Sequence, residues 1–573
     1  MDTTALKECA ERLFASDALT SVVLVTAFEA GDPLVLSEPA ADYTPTAPAD
    51  LFLVKLLVGP GNPGPPGAPS TSGGIGIEVW LPTREAWNGR IHNIGGLGGY
   101  DGGDHSSPTQ VGWFYAALTA GGEGAVAAST DSGHASRDAA WVMGPDGSPA
   151  GQLWIDFSHR AQHEVAVKTK ALATAYYGTA PSYCYYEGAS TGGRHGYQLA
   201  QKYPEDYDGI IALLPTVNFT EWALACLYRR LVVERDLGGI ELTEEQMDLV
   251  SNAAIHASDV VGGEHLGYIF DNESCHYDPT RDPNVLCVSD GGNSSSPHCV
   301  TKAQAAAINK IWYGVTADGS APDPEVDNGV STTLGDRLWY GLTRGTSLYV
   351  AYFTKRDPRM REVLRAASAA GNASGSEQAA LILQDPAIAG PSFENQSGDG
   401  QGRWREMSYE RLAEAFDLGL EMDSMLADVS SNSPDLSAFK ARGGKFLSWH
   451  GWNDESIPVQ STMRYYDAVA KSMGGVDAVR TFFKLYLVPG GGHMSPHGTS
   501  NEDANPPAVG GGQFYRLLVD WVEGGVEPGR VEIESPLPAP DHATQPIYPY
   551  PQKAVYVSGD PRVASSYVSS SPA

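Results

Sequence analysis

The feature that most constrains this chain is five residues long: Gly188-Ala189-Ser190-Thr191-Gly192. An apolar segment, Tyr183 to Tyr186, runs into it, and a helix-like pattern runs out to about Tyr203. A G-x-S-x-G turn between strand and helix is a nucleophile elbow: its glycines allow close backbone approach, and its serine is lifted to the carboxyl end of a sheet. The following helix points its N-terminus at negative charge developing beside that serine. An ordinary glycine-rich strand-to-helix turn is the bland alternative, so the surroundings matter. Ile75–Leu81 and Ala125–Ser129 read as strands, and Ser158–Tyr177 reads as a helix with Gly178 as its stop. Ile210–Leu214 reads as the next strand. Such alternation predicts an α/β fold with a mostly parallel sheet covered on both faces.

Regular alternation lapses between about 217 and 436, where loop-rich pieces such as 290–296, 371–375 and 397–402 occur. It resumes with a strand at Gly444–Trp449, a helix at Thr462–Met473, a strand at Thr481–Leu487 and a helix at Phe514–Val522. The economical organisation is one core, residues 1–216 and 437–573, split by an inserted lid at 217–436. With 65 glycines and 39 prolines, the 573 residues should form long ordered loops rather than a helical bundle. The formal charge of −31 argues against nucleic acid and anionic membranes as partners. No run of 18 apolar residues is present, so no transmembrane helix is expected. The first residues lack a basic segment followed by an apolar one, so the expected location is cytoplasmic, with secretion after loss of a leader as the alternative. Six cysteines, at 9, 184, 226, 275, 287 and 299, form no CxxC pair and suggest no zinc site. Sequons at Asn218, Asn272, Asn293, Asn372 and Asn395 occur at a frequency that chance can supply.

A serine nucleophile needs a base. Val488-Pro489-Gly490-Gly491-Gly492-His493 places a histidine on a glycine-rich loop after a strand near the chain's end, where this architecture requires it. His450 ends a strand and suits a structural role; His497 has no glycine run to expose it. The base needs an orienting carboxylate, and Asp454, after the strand ending at Trp449, gives the chain order Ser, Asp, His. Glu455 is the alternative. The oxyanion hole should use the N–H of Thr191 and a second N–H from the early run Gly95-Gly96-Leu97-Gly98-Gly99, with Gly98 or a neighbour favoured.

These residues, with several longer matches, make the chain resemble the tannase/feruloyl esterase family. The matches include Trp87-Asn88-Gly89-Arg90, Thr130-Asp131-Ser132-Gly133-His134, Asp156-Phe157-Ser158-His159-Arg160-Ala161 and Ser190-Thr191-Gly192-Gly193-Arg194. Tyr203–Gly209, Pro434-Asp435-Leu436-Ser437, His450-Gly451-Trp452, Ile457-Pro458 and Tyr548-Pro549-Tyr550-Pro551 continue the likeness. The resemblance implies an α/β-hydrolase core, a capping lid, a triad of Ser190, Asp454 and His493, and hydrolysis of small-molecule carboxylic esters, often of phenolic acids.

The chain departs from that family in three places. The cysteines that usually flank the nucleophile and the catalytic histidine are replaced by Ala189 and Met494. Ser258 stands where a lid cysteine is usual and leaves Cys275 without its partner, Tyr548 replaces a tail cysteine, and only Cys287 and Cys299 remain as an implied pair. The stretch that matches the family's calcium loop, Asp259 to Ile269, keeps Asp259 but has Gly262 and Leu266 where carboxylates are expected. A hard cation wants six to eight oxygens. The loop is therefore degenerate, and no metal or other cofactor is expected, with calcium around Asp259 as the alternative. Finally, 354–404 follows no familiar lid pattern, so specificity transfers least.

Besides an esterase, two readings compete. One is a hydrolase or acyl-transfer enzyme acting on a polyketide or lactone ester in an intracellular pathway, motivated by the lost disulfides. The other is an inactive binding protein that keeps the fold, against which the intact Ser190, Asp454 and His493 argue.

Overall fold

The computed structural model describes residues 2–37, 44–96, 98–356, 361, 375–391, 393, 398–493, 495–538 and 542–570. Leu97, Asn372, Asn395 and Met494, singled out above, and most of 357–374 lie outside them. The chain forms two compact units. One comprises Met1–Leu213, Gln384–Gln401 and Met422–Phe446; the other comprises Leu214–Leu383, Gly402–Glu421 and Leu447–Ala573. Residues 217–436 are thus shared between the units: 384–401 and 422–436 pack with the N-terminal part.

The first unit runs α1 (Thr4–Phe14), β1 (Thr20–Phe28), β2 (Leu51–Val58), β3 (Ile75–Pro82), β4 (Arg90–Ile94), α2 (Phe114–Glu123) and β5 (Ala127–Thr130). It continues through α3 (Gly151–Ile155), α4 (Ala161–Tyr177), β6 (Tyr183–Ala189), α5 (Thr191–Lys202) and β7 (Gly209–Leu213). Strands β4, β6 and β7 are parallel, with Asn93 opposite Tyr186 and Tyr186 opposite Ile210. Cys184, Tyr185, Tyr186, Ile210, Ile211 and Ala212 are all buried, as expected for strands covered on both faces. Within this unit Lys445 N–H donates to the Asp208 carbonyl at 3.0 Å.

Beside the parallel strands lies an antiparallel sheet in the order β1-β2-β3-β5, which the alternation did not announce. Its strand β2, Leu51-Phe52-Leu53-Val54-Lys55-Leu56-Leu57-Val58, carries a lysine in an otherwise apolar run. Lys55 faces Glu78 of β3 in register, and their charged groups meet at 2.7 Å with both side chains fully buried. Lys55 also donates to the carbonyls of His105 and Gln110, and Glu78 accepts the Gly112 N–H. The pair is tolerable in the core because its remaining hydrogen-bonding capacity is met.

Helix α4 ends at Gly178, as expected; Gly178 has φ +82° and donates its N–H to Thr174. Its start differs from the expected Ser158. Asp156–Arg160 form a wide π turn, and the regular helix begins at Ala161. The turn leaves the carbonyls of Phe157 and Ser158 to accept from the fully buried Arg194 of α5, at 2.8 and 3.0 Å. A tertiary donor thus displaces the ordinary helical one, a common origin of π turns at functional positions.

The second unit contains α6 (Phe219–Asp236), α7 (Glu244–Ser258), the hairpin β8 (Val260–Val261) and β9 (Glu264–His265), α8 (Lys302–Tyr313), and the antiparallel pair β10 (Gly314–Thr316) and β11 (Arg337–Tyr340). It also holds most of β12 (Lys445–Gly451), β13 (Phe483–Val488), and helices at Val459–Ser472 and Gln513–Gly524. Helices α7 and α8 open with capping boxes, Thr243 with Gln246 and Thr301 with Gln304, each satisfying two exposed N–H groups. They pack through Val250, Ala254, Ile308 and Trp312. Cys287 and Cys299 are joined in a disulfide. Ser258 donates its hydroxyl to Sγ of the buried free Cys275 at 3.2 Å, so the two are neighbours, held by a hydrogen bond where no covalent bond can form.

Candidate active site

The first unit supplies the turn around Ser190. Strand β6 enters it, α5 leaves it at Thr191, and Ser190 has φ 59° and ψ −121°. That backbone is strained for a side chain with a Cβ, and strain of this kind concentrates at functional positions. Ser190 N–H donates to the Leu213 carbonyl at 2.9 Å, pinning the turn to the end of β7. Both flanking glycines are required by close approach. A Cβ on Gly188 would lie 2.4 Å from the Gly192 carbonyl oxygen, and one on Gly192 would lie 2.6 Å from that of Gly96. The Tyr186 hydroxyl donates to the Gly192 carbonyl at 2.8 Å, and Thr191 Oγ1 donates to that of Gly99 at 2.8 Å. The elbow is therefore built against the early glycine run.

Within that run, Gly95 N–H is occupied by the Glu187 carbonyl at 2.7 Å and is not available to a ligand. Gly98 has φ +89° and open space beside its Cα, consistent with an exposed turn. Below the run sits a buried polar layer. Ser132 Oγ donates to Asp101 Oδ2 at 2.8 Å, and Asp131 accepts the N–H groups of Gly76, His105 and Gly133. Burial pushes the Asp101 carboxyl up to about 7 and that of Asp131 up to about 8.

The second unit carries the candidate acid–base pair, Asp454 and His493. Asp454 Oδ2 lies 2.9 Å from His493 Nδ1 and 3.1 Å from His450 Nε2. Its Oδ1 accepts the N–H groups of Ser456 and Ile457 at 2.8 and 2.7 Å. Burial acts to raise the Asp454 pKa, but the facing imidazoles and these hydrogen bonds outweigh it and hold it well below the usual carboxylate range. With an ionised acceptor at Nδ1, His493 carries its hydrogen there and keeps Nε2 as a lone pair. Burial acts to lower the His493 pKa, and Asp454 more than restores it, so the net shift is upward.

The sequence set His450 aside as structural, and it does more than end a strand. It lies between Thr462 Oγ1 at 2.8 Å on Nδ1 and two acceptors, Asp454 and the Ile457 carbonyl, on Nε2. Nε2 therefore bears the hydrogen, and His450 is a second donor to Asp454. His497 is buried edge-on to Tyr352, with Nδ1 3.3 Å from Thr499 Oγ1. Glu455 is also buried but faces another atom: its Oε2 accepts the backbone N–H of His493 at 2.8 Å. Burial and the adjacent Asp454 charge push its carboxyl up to about 8. Asp454 thus contacts the imidazole, and Glu455 holds the loop that carries it.

The loops bearing Asp454 and His493 approach through glycine. Asn453 N–H donates to the Gly491 carbonyl and Trp452 N–H to that of Val488, both at 2.9 Å. A Cβ on Gly451 would lie 2.3 Å from the Gly491 carbonyl oxygen. Helix α6 braces the acid loop from outside, with Arg229 donating to the Glu455 carbonyl and Trp222 to that of Ser456.

A strained serine elbow on a parallel sheet is the arrangement of the α/β-hydrolase class. The family model for tannase and feruloyl esterase matches residues 65–570. A probable feruloyl esterase of Arthroderma benhamiae is 28% identical over 501 residues, covering 86% of this chain and 82% of that protein. Feruloyl esterase B of Aspergillus niger is 25% identical over 470 residues, covering 79% and 75%. Among solved structures, feruloyl esterase B from Aspergillus oryzae has a TM-score of 0.73 at 23% identity, covering 99% of this chain and 100% of that one. Tannin acyl hydrolase from Aspergillus niger has a TM-score of 0.67 at 21% identity, covering 96% and 94%. The chain belongs to the tannase and feruloyl esterase family and has its α/β-hydrolase fold. It is a carboxylic ester hydrolase. No helix among the described residues is long and apolar enough to cross a membrane.

Proposed function

We propose that the enzyme hydrolyses esters of aromatic, phenolic acids through an acyl-enzyme on Ser190, with His493 as general base and acid and Asp454 as its orienting carboxylate. Ser190 Oγ attacks the ester carbonyl carbon while its proton passes to His493 Nε2. The resulting oxyanion is held by the N–H of Thr191 and an N–H at Gly98 or its neighbour. As the intermediate collapses, the bond to the alcohol oxygen breaks and His493 returns the proton to the leaving alcohol. Water repeats the sequence on the acyl-enzyme and releases the carboxylic acid. What most supports the assignment is the backbone of Ser190, strained at φ 59° and anchored to β7. The phenolic acyl group rests on the names of the relatives, and residues 217–436 are proposed to cap it as a lid.

The test is a panel of methyl ferulate, methyl gallate, a terephthalate monoester and simple alkyl esters. At least one aromatic ester should exceed the alkyl esters in kcat/KM by about 10-fold or more, the scale that apolar pocket contacts provide. Equal or better turnover of alkyl or lactone esters would overturn the phenolic assignment.

The pH profile tests the base. His493 must be unprotonated at Nε2 to accept the serine proton, and its pKa is raised from the ordinary 6.5. On an uncharged ester, kcat/KM should therefore fall as pH drops through an inflection above 6.5. An inflection below pH 6 would point to a base outside the Asp454 pair.

A further inference from the structure

Three side chains of the second unit converge away from the Asp454–His493 pair. His256 lies on the last turn of α7, Asp259 just after that helix, and His265 on β9 of the following hairpin. One donor atom from each falls within 4.8 Å of the others. The two imidazoles are stacked, with centroids 4.3 Å apart and planes 8° from parallel. Asp259 is buried; its Oδ1 lies 2.6 Å from His265 Nδ1, and its Oδ2 accepts the Gly267 N–H at 2.9 Å. Gly262 and Gly263 turn the hairpin with φ +62° and +90°, folding His265 back towards the helix end.

These donors do not fit calcium. A hard cation wants six to eight oxygens. Here the one carboxylate is already hydrogen-bonded through both oxygens, and its neighbours are aromatic nitrogens. Two imidazoles and a carboxylate are instead the donor set of a borderline divalent ion such as zinc, held by three protein groups with a remaining position for water. We propose that His256, Asp259 and His265 bind one such transition-metal ion, tying the end of α7 to the β8–β9 hairpin.

The assembly favours capture. Asp259 is buried and contributes the only charge of the three donors, while both imidazoles are exposed, and His265 can take up a metal only by exchanging its hydrogen bond to Asp259. Donors spread over up to 4.8 Å must draw in to the roughly 3.3 Å separation implied by ligand bonds of about 2.0 Å in a tetrahedral site. The nearby cation Arg562 is paired with Glu264 and donates to the His265 carbonyl, so its charge is balanced at the hairpin.

The test starts from protein stripped with a chelator and exchanged into metal-free buffer at pH 7.5. Cobalt(II) should bind at one equivalent with visible d–d bands, and zinc should displace it. Zinc should raise the melting temperature by at least about 2 °C by selective binding to the folded state, whereas millimolar calcium should leave it unchanged. His256→Gln and His265→Ala should each weaken cobalt binding at least 10-fold. Both positions are exposed, so ester turnover and circular dichroism should match the unsubstituted protein and show that the variants fold. Absence of cobalt bands, calcium stabilisation in place of zinc stabilisation, or unchanged binding in both variants would each overturn the proposal. Unchanged binding would place the metal on other histidines or cysteines. None of these readouts depends on the ester the enzyme prefers.

Discussion

Ser190→Ala is expected to keep its fold and to lose ester turnover by about 10⁴-fold or more, because no acyl-enzyme can form without the hydroxyl. The remaining catalysis would come from the oxyanion donors and substrate binding alone. The variant should fold because Ser190 is anchored through its backbone N–H to Leu213, and alanine retains that bond. It should also stop reacting with a fluorophosphonate probe. A variant that kept a tenth of the activity would remove Ser190 from the nucleophile's role. The backbone makes a companion prediction. Alanine has a Cβ and inherits the strain of φ 59°, whereas glycine does not. Ser190→Gly should therefore be equally inactive yet more stable than Ser190→Ala, by about 1 kcal/mol. Greater stability in the inactive glycine variant would show that the elbow stores strain for function.

How much of this could be read from the sequence depended on how local each feature was. The elbow was legible because its requirements fall within five residues, and Gly178 because a helix stop is a one-residue signal. The α/β class followed from the alternation of Tyr183–Leu214. The antiparallel sheet was missed because β2 is a nearly unbroken apolar run, which burial on both faces produces in either kind of sheet. Only the partner of Lys55 distinguishes this strand, and Glu78 is a long-range neighbour that no spacing rule reveals. The π turn at Asp156–Arg160 has the same origin, since it answers to Arg194 rather than to its own residues. At the candidate acid–base pair, the sequence favoured Asp454 over the adjacent Glu455, but no local feature excluded Glu455. The choice lies in tertiary geometry: Asp454 meets the imidazole, while Glu455 meets the backbone of the same residue. His450 was set aside because a histidine at a strand end has an ordinary explanation; its bond to Asp454 requires the loop to curl back by four residues.

Those two carboxylates give the second large prediction. Asp454→Asn is expected to lower activity by about 10³- to 10⁴-fold, as loss of the correct histidine tautomer does in other triads. One amide atom must replace Oδ1, which accepts from Ser456 and Ile457, and it has to be the carbonyl oxygen. The amide nitrogen then replaces Oδ2, facing His493 Nδ1 and His450 Nε2. Both ring positions carry hydrogens in the native arrangement, so donors would face donors. His493 can relieve its clash only by moving its hydrogen to Nε2, the atom proposed to accept the serine proton. The mutation therefore removes the base without removing the imidazole. Glu455→Gln has no such consequence. Its task is to accept the His493 backbone N–H, which an amide carbonyl performs as well as a carboxylate. With its pKa pushed up to about 8, Glu455 holds a proton at neutral pH, so a neutral amide is close to its native charge state. Glu455→Gln should accordingly lose less than about 10-fold at pH 7, far below the range for tautomer loss. It should also remove any inflection near pH 8 from the kcat/KM profile. If Glu455→Gln proved the more damaging of the two, the orienting carboxylate would be Glu455, and Asp454 would be left with the fixing of His450.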